Sequence, residues 1–323
     1  MNRKKTIAVL TSGGDAPGMN AVIRAVARTG LRNGFAVKGI LRGYAGLLAE
    51  EIIDLESENL SNIIEKGGTI LYTARCSEFL SESGQKKGAD ICRKHGIDCV
   101  VVAGGDGSFR GARALAGQGI STVCVPCTID LDLPCTDYTI GFDTAINTAM
   151  EAIDRIRDTS TSHERCSIIE VMGRSAGYIA LWTGIASGAE EVLLPELYNG
   201  DEQAIVNRIT EGRKKGKSHF IIVNAEGVGH SSSMARRIEA ATGIETRATI
   251  LGYMQRGGSP TCRDRVMATV MGEKAAELCC EGQSNRIVVW KDGRFTDYSI
   301  EEAFAMEKKL PADLVSIPNT LKR

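Results

Sequence analysis

The strongest constraint on this chain is a pattern that recurs along its first half: an uninterrupted apolar run that ends in a short polar loop. Thr6 to Leu10 enters Thr11-Ser-Gly-Gly-Asp15, Asp98 to Ala103 enters Gly104-Gly-Asp-Gly-Ser108, and Ser121 to Pro126 leads to Thr128-Ile-Asp-Leu-Asp132. A strand wetted on one face alternates apolar and polar residues, whereas a run that is apolar throughout has to be covered on both faces. Such strands belong to parallel sheets with helices on either side. The helices are present in the pattern. From about Gly18 to Asn33 the residues Ala21, Val22, Ala25, Val26 and Leu31 share one face, with Gly34 placed as a C-cap. Phe35 to Leu41 reads as a strand, and a helix follows Ser108 to about Ala116. The second half continues in the same style. Helices are expected over 143–158, 175–187, 203–214, 234–242 and 260–280, and strands over 165–171, 191–194, 219–224 and 246–251. The reading is α/β: two doubly wound domains with ligands at the carboxyl ends of the strands.

Bulk properties bound the function. At 323 residues the chain is long for one core, which favours two domains. A net charge of -1 supplies no global field to hold nucleic acid or an anionic membrane, so any anion has to be held by local arginines and loop amides. The basic start, Met1 to Lys5, is followed by only five apolar residues, so neither a signal peptide nor a membrane span is expected. Ten cysteines in a chain this large, without a secretory signal, fit a reducing, cytoplasmic location. Cys124-Val-Pro-Cys127 lacks a second pair and reads as incidental spacing at a strand end, and Cys279 and Cys280 as packing thiols.

The loops carry the chemistry. Gly13-Gly14 and Gly104 to Ser108 allow backbone amides to approach phosphate oxygens, because no Cβ intrudes. Asp106 and Asp130 are short carboxylates at strand ends, suited to a hard cation or to proton transfer. Arg75, Arg165, Arg174, Arg247 and Arg256 are guanidinium donors in or beside loops. Singly, each has a plainer reading as a turn, a cap or a solvated side chain; the combination points to phosphoryl transfer. No GxxxxGK[ST] loop and no strand-borne Val-Ala-Ile-Lys occurs, which excludes the Walker-type and protein-kinase arrangements.

Several longer motifs, in order, resemble bacterial ATP-dependent 6-phosphofructokinases. They are Thr11-Ser-Gly-Gly-Asp-Ala-Pro-Gly-Met-Asn20, Gly104 to Ser108, Pro126-Cys-Thr-Ile-Asp130, Thr136-Asp-Tyr-Thr-Ile-Gly-Phe142, Val171-Met-Gly-Arg174 and Gln255-Arg-Gly-Gly-Ser-Pro260. The resemblance runs from about Thr6 to Trp290. It implies two Rossmann-like domains with the active site in the cleft between them: a nucleotide-binding domain over 1–140 and 254–305, a sugar-phosphate domain over 141–253, and a tail over 306–323. It also implies ATP as co-substrate, Mg2+, fructose 6-phosphate as acceptor and a homotetramer. By motif position Asp130 is the general base and Asp132 its support, Thr128 meets the transferring phosphoryl, and Asp106 is the magnesium-associated carboxylate. Gly14, Arg75, Cys76, Gly105, Gly107 and Ser108 fall at nucleotide contacts. Ile129, Met172, Gly173, Arg174, Glu226, Tyr253, Met254, Gln255 and Arg256 fall at sugar-phosphate contacts, with Arg165 and Arg247 reaching in from a neighbouring subunit.

Three departures from the family pattern matter. Cys127 stands where ATP-using members commonly have glycine and pyrophosphate-using members lysine, while Gly107 is the ATP-type choice. Tyr253 replaces a usual histidine and Leu131 a usual asparagine. Arg24, Arg28, Arg157, Gly188, Glu190, Lys215, Lys217 and His219 match positions that bind ADP or phosphoenolpyruvate in relatives, but Ser57 stands where an effector-binding arginine is expected, so effector control is expected to be weakened or altered. The alternatives are a pyrophosphate-dependent form, a non-catalytic regulatory subunit, and a lipid or dinucleotide kinase that shares only the GGDG loop.

Overall fold

The computed structural model describes residues 3–320. These residues form two units: those up to 129, 133–144 and 256–308 in the first, and 130–132, 145–255 and 309–320 in the second.

The first unit opens with β1 (Thr6–Thr11), buried at every position, followed by α1 (Met19–Arg32) and β2 (Ala36–Ile40). Asn33 caps α1 and Gly34 follows in the left-handed region at φ 80°, so the helix stops one residue before the predicted cap. α2 (Gly43–Leu48), β3 (Ile52–Asp54) and α3 (Glu82–Lys94) follow, then β4 (Cys99–Gly104), α4 (Asp106–Gly117) and β5 (Ser121–Pro126). α5 (Phe142–His163) begins in the first unit and continues into the second. The second unit contains β6 (Cys166–Val171), α6 (Tyr178–Ala186), β7 (Glu191–Leu193), α7 (Glu202–Lys214), β8 (Phe220–Ala225), α8 (Ser231–Thr242) and β9 (Thr246–Ile250). The chain re-enters the first unit for α9 (Cys262–Cys280), the antiparallel pair β10 (Arg286–Lys291) and β11 (Arg294–Ser299), and α10 (Ile300–Ala305). α11 (Ala312–Thr320) belongs to the second unit.

The first unit's sheet has the order β11-β10-β5-β4-β1-β2-β3, parallel except for its two edge strands. From β1 the chain moves to β2 on one side, and β4 continues to β5 on the other. The order therefore reverses between β1 and β4, the kind of switch point at whose carboxyl ends ligands bind in such sheets. Ala8, Leu10, Val100, Val102, Phe109 and Leu115 are core residues on one face of this sheet. The second unit's sheet, β7-β8-β6-β9, is wholly parallel, with a core that includes Ile168, Ile222, Phe220, Ile205, Ile209 and Ile238. It reverses between β6 and β9. Both reversals place the loops named above at strand ends. Among the described residues no helix is long and apolar enough to cross a membrane.

Candidate active site

In the first unit three loops gather at the reversal. Ser12 N–H donates to Ala103 O at 3.0 Å, which joins the loop after β1 to the end of β4. Thr73 Oγ1 donates to Gly13 O at 2.7 Å, and Thr11 Oγ1 to Tyr72 O at 2.7 Å. These bonds tie the segment carrying exposed Arg75 and half-buried Cys76 to Gly13-Gly14. Gly104 is required by space: a Cβ there would stand 2.5 Å from both Ser12 O and Ser108 Oγ. At Gly107 a Cβ would meet nothing within 4 Å, so the first turn of α4 is uncrowded at that residue. Asp106, at the helix N-terminus, receives Arg110 Nε at 3.0 Å and Arg110 Nη2 at 3.2 Å. Tyr44, stacked on Phe79 with ring centroids 4.2 Å apart, donates its hydroxyl to Ser108 O at 2.6 Å and braces the loop from below.

The loop after β5 carries the two candidate acids. Thr128, Ile129 and Asp130 are buried, and Asp130 is 2% exposed. Leu131 adopts φ 54°, the left-handed conformation that asparagine tolerates and leucine rarely adopts. The usual asparagine at this position therefore has a backbone reason. Asp132 lies 3.9 Å from Arg174 Nη1, an ion pair open to solvent on the arginine side.

In the second unit the loops after β6, β8 and β9 converge. Glu226 Oε1 accepts from Gly173 N–H at 3.1 Å and from Arg174 N–H. Gln255 Oε1 accepts from Met172 N–H at 3.3 Å. Glu226 and Gln255 are thereby scaffold for the Met-Gly-Arg turn, in which Arg174 holds φ 56°. Tyr253 and Met254 stand out, 83% and 63% exposed. Arg256 is placed differently: Nη1 donates to Asp15 O at 3.0 Å, and a Cβ on Gly14 would stand 2.5 Å from it. Its guanidinium thus lies on the first glycine loop. Arg165 and Arg247 both grip Glu245, at 2.6 Å each, and hold its carboxyl below the usual range.

The effector candidates divide by unit. Arg24 and Arg28 lie on α1, where burial and then the Arg28 charge hold the Arg24 guanidinium below its usual value. Glu190 pairs with Lys217 at 2.6 Å, and Arg157 Nη2 donates to Ser187 O next to Gly188. Burial outweighs Glu190 and, aided by Arg157 and Lys217, holds His219 below its ordinary value. Lys215 caps α7, and Ser57 is exposed.

Sequence reasoning missed Asp264, Tyr44, Arg110 and Glu245. Only Asp264 carried a local signal, as the acid three residues after Thr261 at a helix start.

The fold and this arrangement define a class: a two-unit α/β protein with glycine- and arginine-bearing loops at the carboxyl ends of its strands. The sequence profile described as "Phosphofructokinase" matches residues 6–279, and the chain belongs to that family. It is 55% identical to the ATP-dependent 6-phosphofructokinase of Clostridium botulinum strain Hall over 99% of this chain and 100% of that one. The protein of the same name from Clostridium acetobutylicum is 54% identical, with the same coverage. Among solved structures, the T-state phosphofructokinase of Pichia pastoris superposes with a TM-score of 0.89 at 32% identity, over 94% of this chain but only 36% of that longer one.

Proposed function

We propose that the chain transfers the γ-phosphoryl of ATP to the 1-hydroxyl of fructose 6-phosphate, giving fructose 1,6-bisphosphate and ADP. The observation that carries this reading is the Gly104–Ser108 loop at the head of α4, tightly packed at Gly104 and open at Gly107. Aspartate there, the pyrophosphate-type choice, would crowd and repel a nucleotide. The names of the full-length relatives support ATP as donor.

The roles follow from residue chemistry. Gly14, Arg75, Cys76 and Gly105 to Ser108 receive the nucleotide, and Thr128 the transferring group. Asp130 accepts the proton of the sugar hydroxyl as the phosphoryl leaves, and Asp132 steadies the loop through Arg174. Phosphoryl transfer needs mostly positioning and charge neutralisation, and arginines supply both. Ile129, Met172, Gly173, Arg174, Tyr253, Met254 and Arg256 hold the sugar phosphate, with Glu226 and Gln255 shaping the turn. Arg165 and Arg247 complete a neighbour's site in a homotetramer, and the enzyme works in the cytoplasm.

Among the described residues no cluster of three or more His, Cys, Asp or Glu forms a metal cage. Asp106 alone still fits Mg2+, which keeps most of its waters and is held by one or two carboxylates together with phosphate oxygens. Bound there, the ion would neutralise charge on the nucleotide phosphates.

Asp130→Asn is expected to lower kcat about 10²- to 10⁴-fold with little change in either KM, measured in a coupled assay. Near-normal turnover would remove Asp130 from its role, and turnover with pyrophosphate but not ATP would reverse the donor assignment. Arg24 and Arg28 on α1 in the first unit, and the Glu190–Lys217 pair in the second, are each candidate contacts for ADP or phosphoenolpyruvate, weakened by Ser57. Fructose 6-phosphate saturation curves are expected to shift little with phosphoenolpyruvate; a strong sigmoidal shift would contradict this.

A further inference from the structure

The loop that carries Asp130 is closed at its stem. Cys127 and Ile140 form a parallel bridge, Ile140 N–H donates to Pro126 O at 2.9 Å, and Cys127 N–H donates to Gly104 O at 2.9 Å. Its far end is tied to β10, where Asp137 N–H donates to Trp290 O at 2.8 Å. Its return limb ends on one carboxylate. Asp264 Oδ1 accepts from the Tyr138 hydroxyl at 2.6 Å and from Gly141 N–H at 2.7 Å. Asp264 Oδ2 accepts from Thr144 N–H at 2.8 Å and from Thr144 Oγ1 at 2.5 Å.

Asp264 is 0% exposed, yet it keeps four donors. Two are backbone N–H groups that cannot turn away, so the site requires an acceptor at each oxygen. The carboxylate also faces the first turn of the 22-residue helix α5, whose dipole favours negative charge there. The limb it holds abuts a second loop. A Cβ on Gly141 would stand 2.7 Å from Ala16 Cβ, and one on Gly18 would stand 2.6 Å from Ile140 Cγ2. Moving Ile140-Gly141 would therefore disturb both the stem of the Asp130 loop and the first glycine loop.

We propose that Asp264 is a positioning residue for phosphoryl transfer, fixing the return limb of the loop that presents Asp130. This rests on Asp130 being the base. Asp264→Asn is the discriminating variant. Whichever oxygen becomes the amide nitrogen, that nitrogen faces a backbone N–H, of Gly141 or of Thr144, and one anchor is lost while volume is kept.

The experiment is a double-mutant cycle on the full-length enzyme with D130N and D264N, scored by kcat and by KM for both substrates, with circular dichroism to establish folding. D264N alone is expected to lower kcat about 10- to 100-fold, the size expected of a misplaced reacting group, with both KM values nearly unchanged. In the D130N background the same change is expected to cost less than about twofold, because a mispositioned base no longer matters once the base is gone. An unchanged kcat in folded D264N overturns the proposal, and so does an equal loss in both backgrounds, the mark of a structural residue. Full turnover in D130N alone would sink the assignment of Asp130 and with it this role. If D264N does not fold, Tyr138→Phe removes one donor and keeps the carboxylate. It is expected to lose kcat in the wild-type background and not in D130N, and an equal loss in both overturns the proposal.

Discussion

The loop from Cys127 to Thr144 and the loops that carry Arg174 and Tyr253 stand at opposite extremes. The former is buried along most of its length and held by a buried carboxylate. The latter are shaped from beneath by Glu226 and Gln255, while Arg174, Tyr253 and Met254 themselves are exposed. Under the proposed roles, the difference teaches how the two tasks would be divided. A proton acceptor needs its position fixed before the substrate arrives, since small errors in position are costly. A substrate-gripping arginine can be ordered on arrival, because a charge-assisted hydrogen bond to phosphate outweighs the side-chain entropy lost.

Leu131 shows the rigid side tolerating a local misfit. A left-handed leucine costs about 1–2 kcal/mol, yet this side chain is 5% exposed and burying it returns about 1.5–3 kcal/mol. The two nearly cancel, which explains how leucine can stand at a position where asparagine suits the backbone.

The comparison predicts opposite kinetic signatures on the two sides. Arg174→Ala should raise KM for fructose 6-phosphate about 10- to 100-fold, the loss of one hydrogen bond to a charged group, and leave KM for ATP unchanged. Initial-rate kinetics with each substrate varied would check this. If R174A lowered kcat alone, Arg174 would act in the transition state, and the division between a rigid catalytic loop and adaptable grip would break.

The parts that were legible in sequence were those written in local pattern. Continuous apolar runs identified β1, β4, β5, β6 and β8, because burial on both faces leaves no polar alternation. Residues 42–97 hide α2, β3 and α3 because these elements are short or weakly apolar and interrupted by exposed turns. The β10–β11 pair, with its half-buried β11, lies beyond the parallel pattern. Of the site, the glycine loops and arginines could be read, since their chemistry follows from residue type. Asp264 could not be assigned its part. In sequence it reads as the acid of a helix cap, and Thr261 Oγ1 does accept from Asp264 N–H at 3.3 Å. Its side chain instead serves residues more than a hundred positions earlier, a tertiary fact with no local trace.

A subtler test of the contrast lies in pH. Burial of Asp264 raises its carboxyl above the ordinary value, even against four hydrogen bonds that oppose the rise. A group raised on folding contributes stability that is present below the unfolded value, about 3.9 for aspartate, and lost as pH climbs through the folded value. Glu245 is only half-buried, and Arg165 and Arg247 lower its carboxyl. Its contribution is present above the unfolded value, about 4.3 for glutamate, and lost as pH falls through the lowered one. The two acids therefore tilt stability in opposite directions across the acid range. Unfolding midpoints measured from roughly pH 3 to 7 should show E245Q flattening the loss on the acid side. D264N should lower the whole curve and remove the decline that a raised carboxyl causes as pH climbs. The Glu245 effect should be the smaller and should fade in high salt, because exposed pairs are screened and the interior carboxylate is not. Equal salt sensitivity for both variants would mean that Asp264 is hydrated, and that the rigidity of its loop comes from elsewhere.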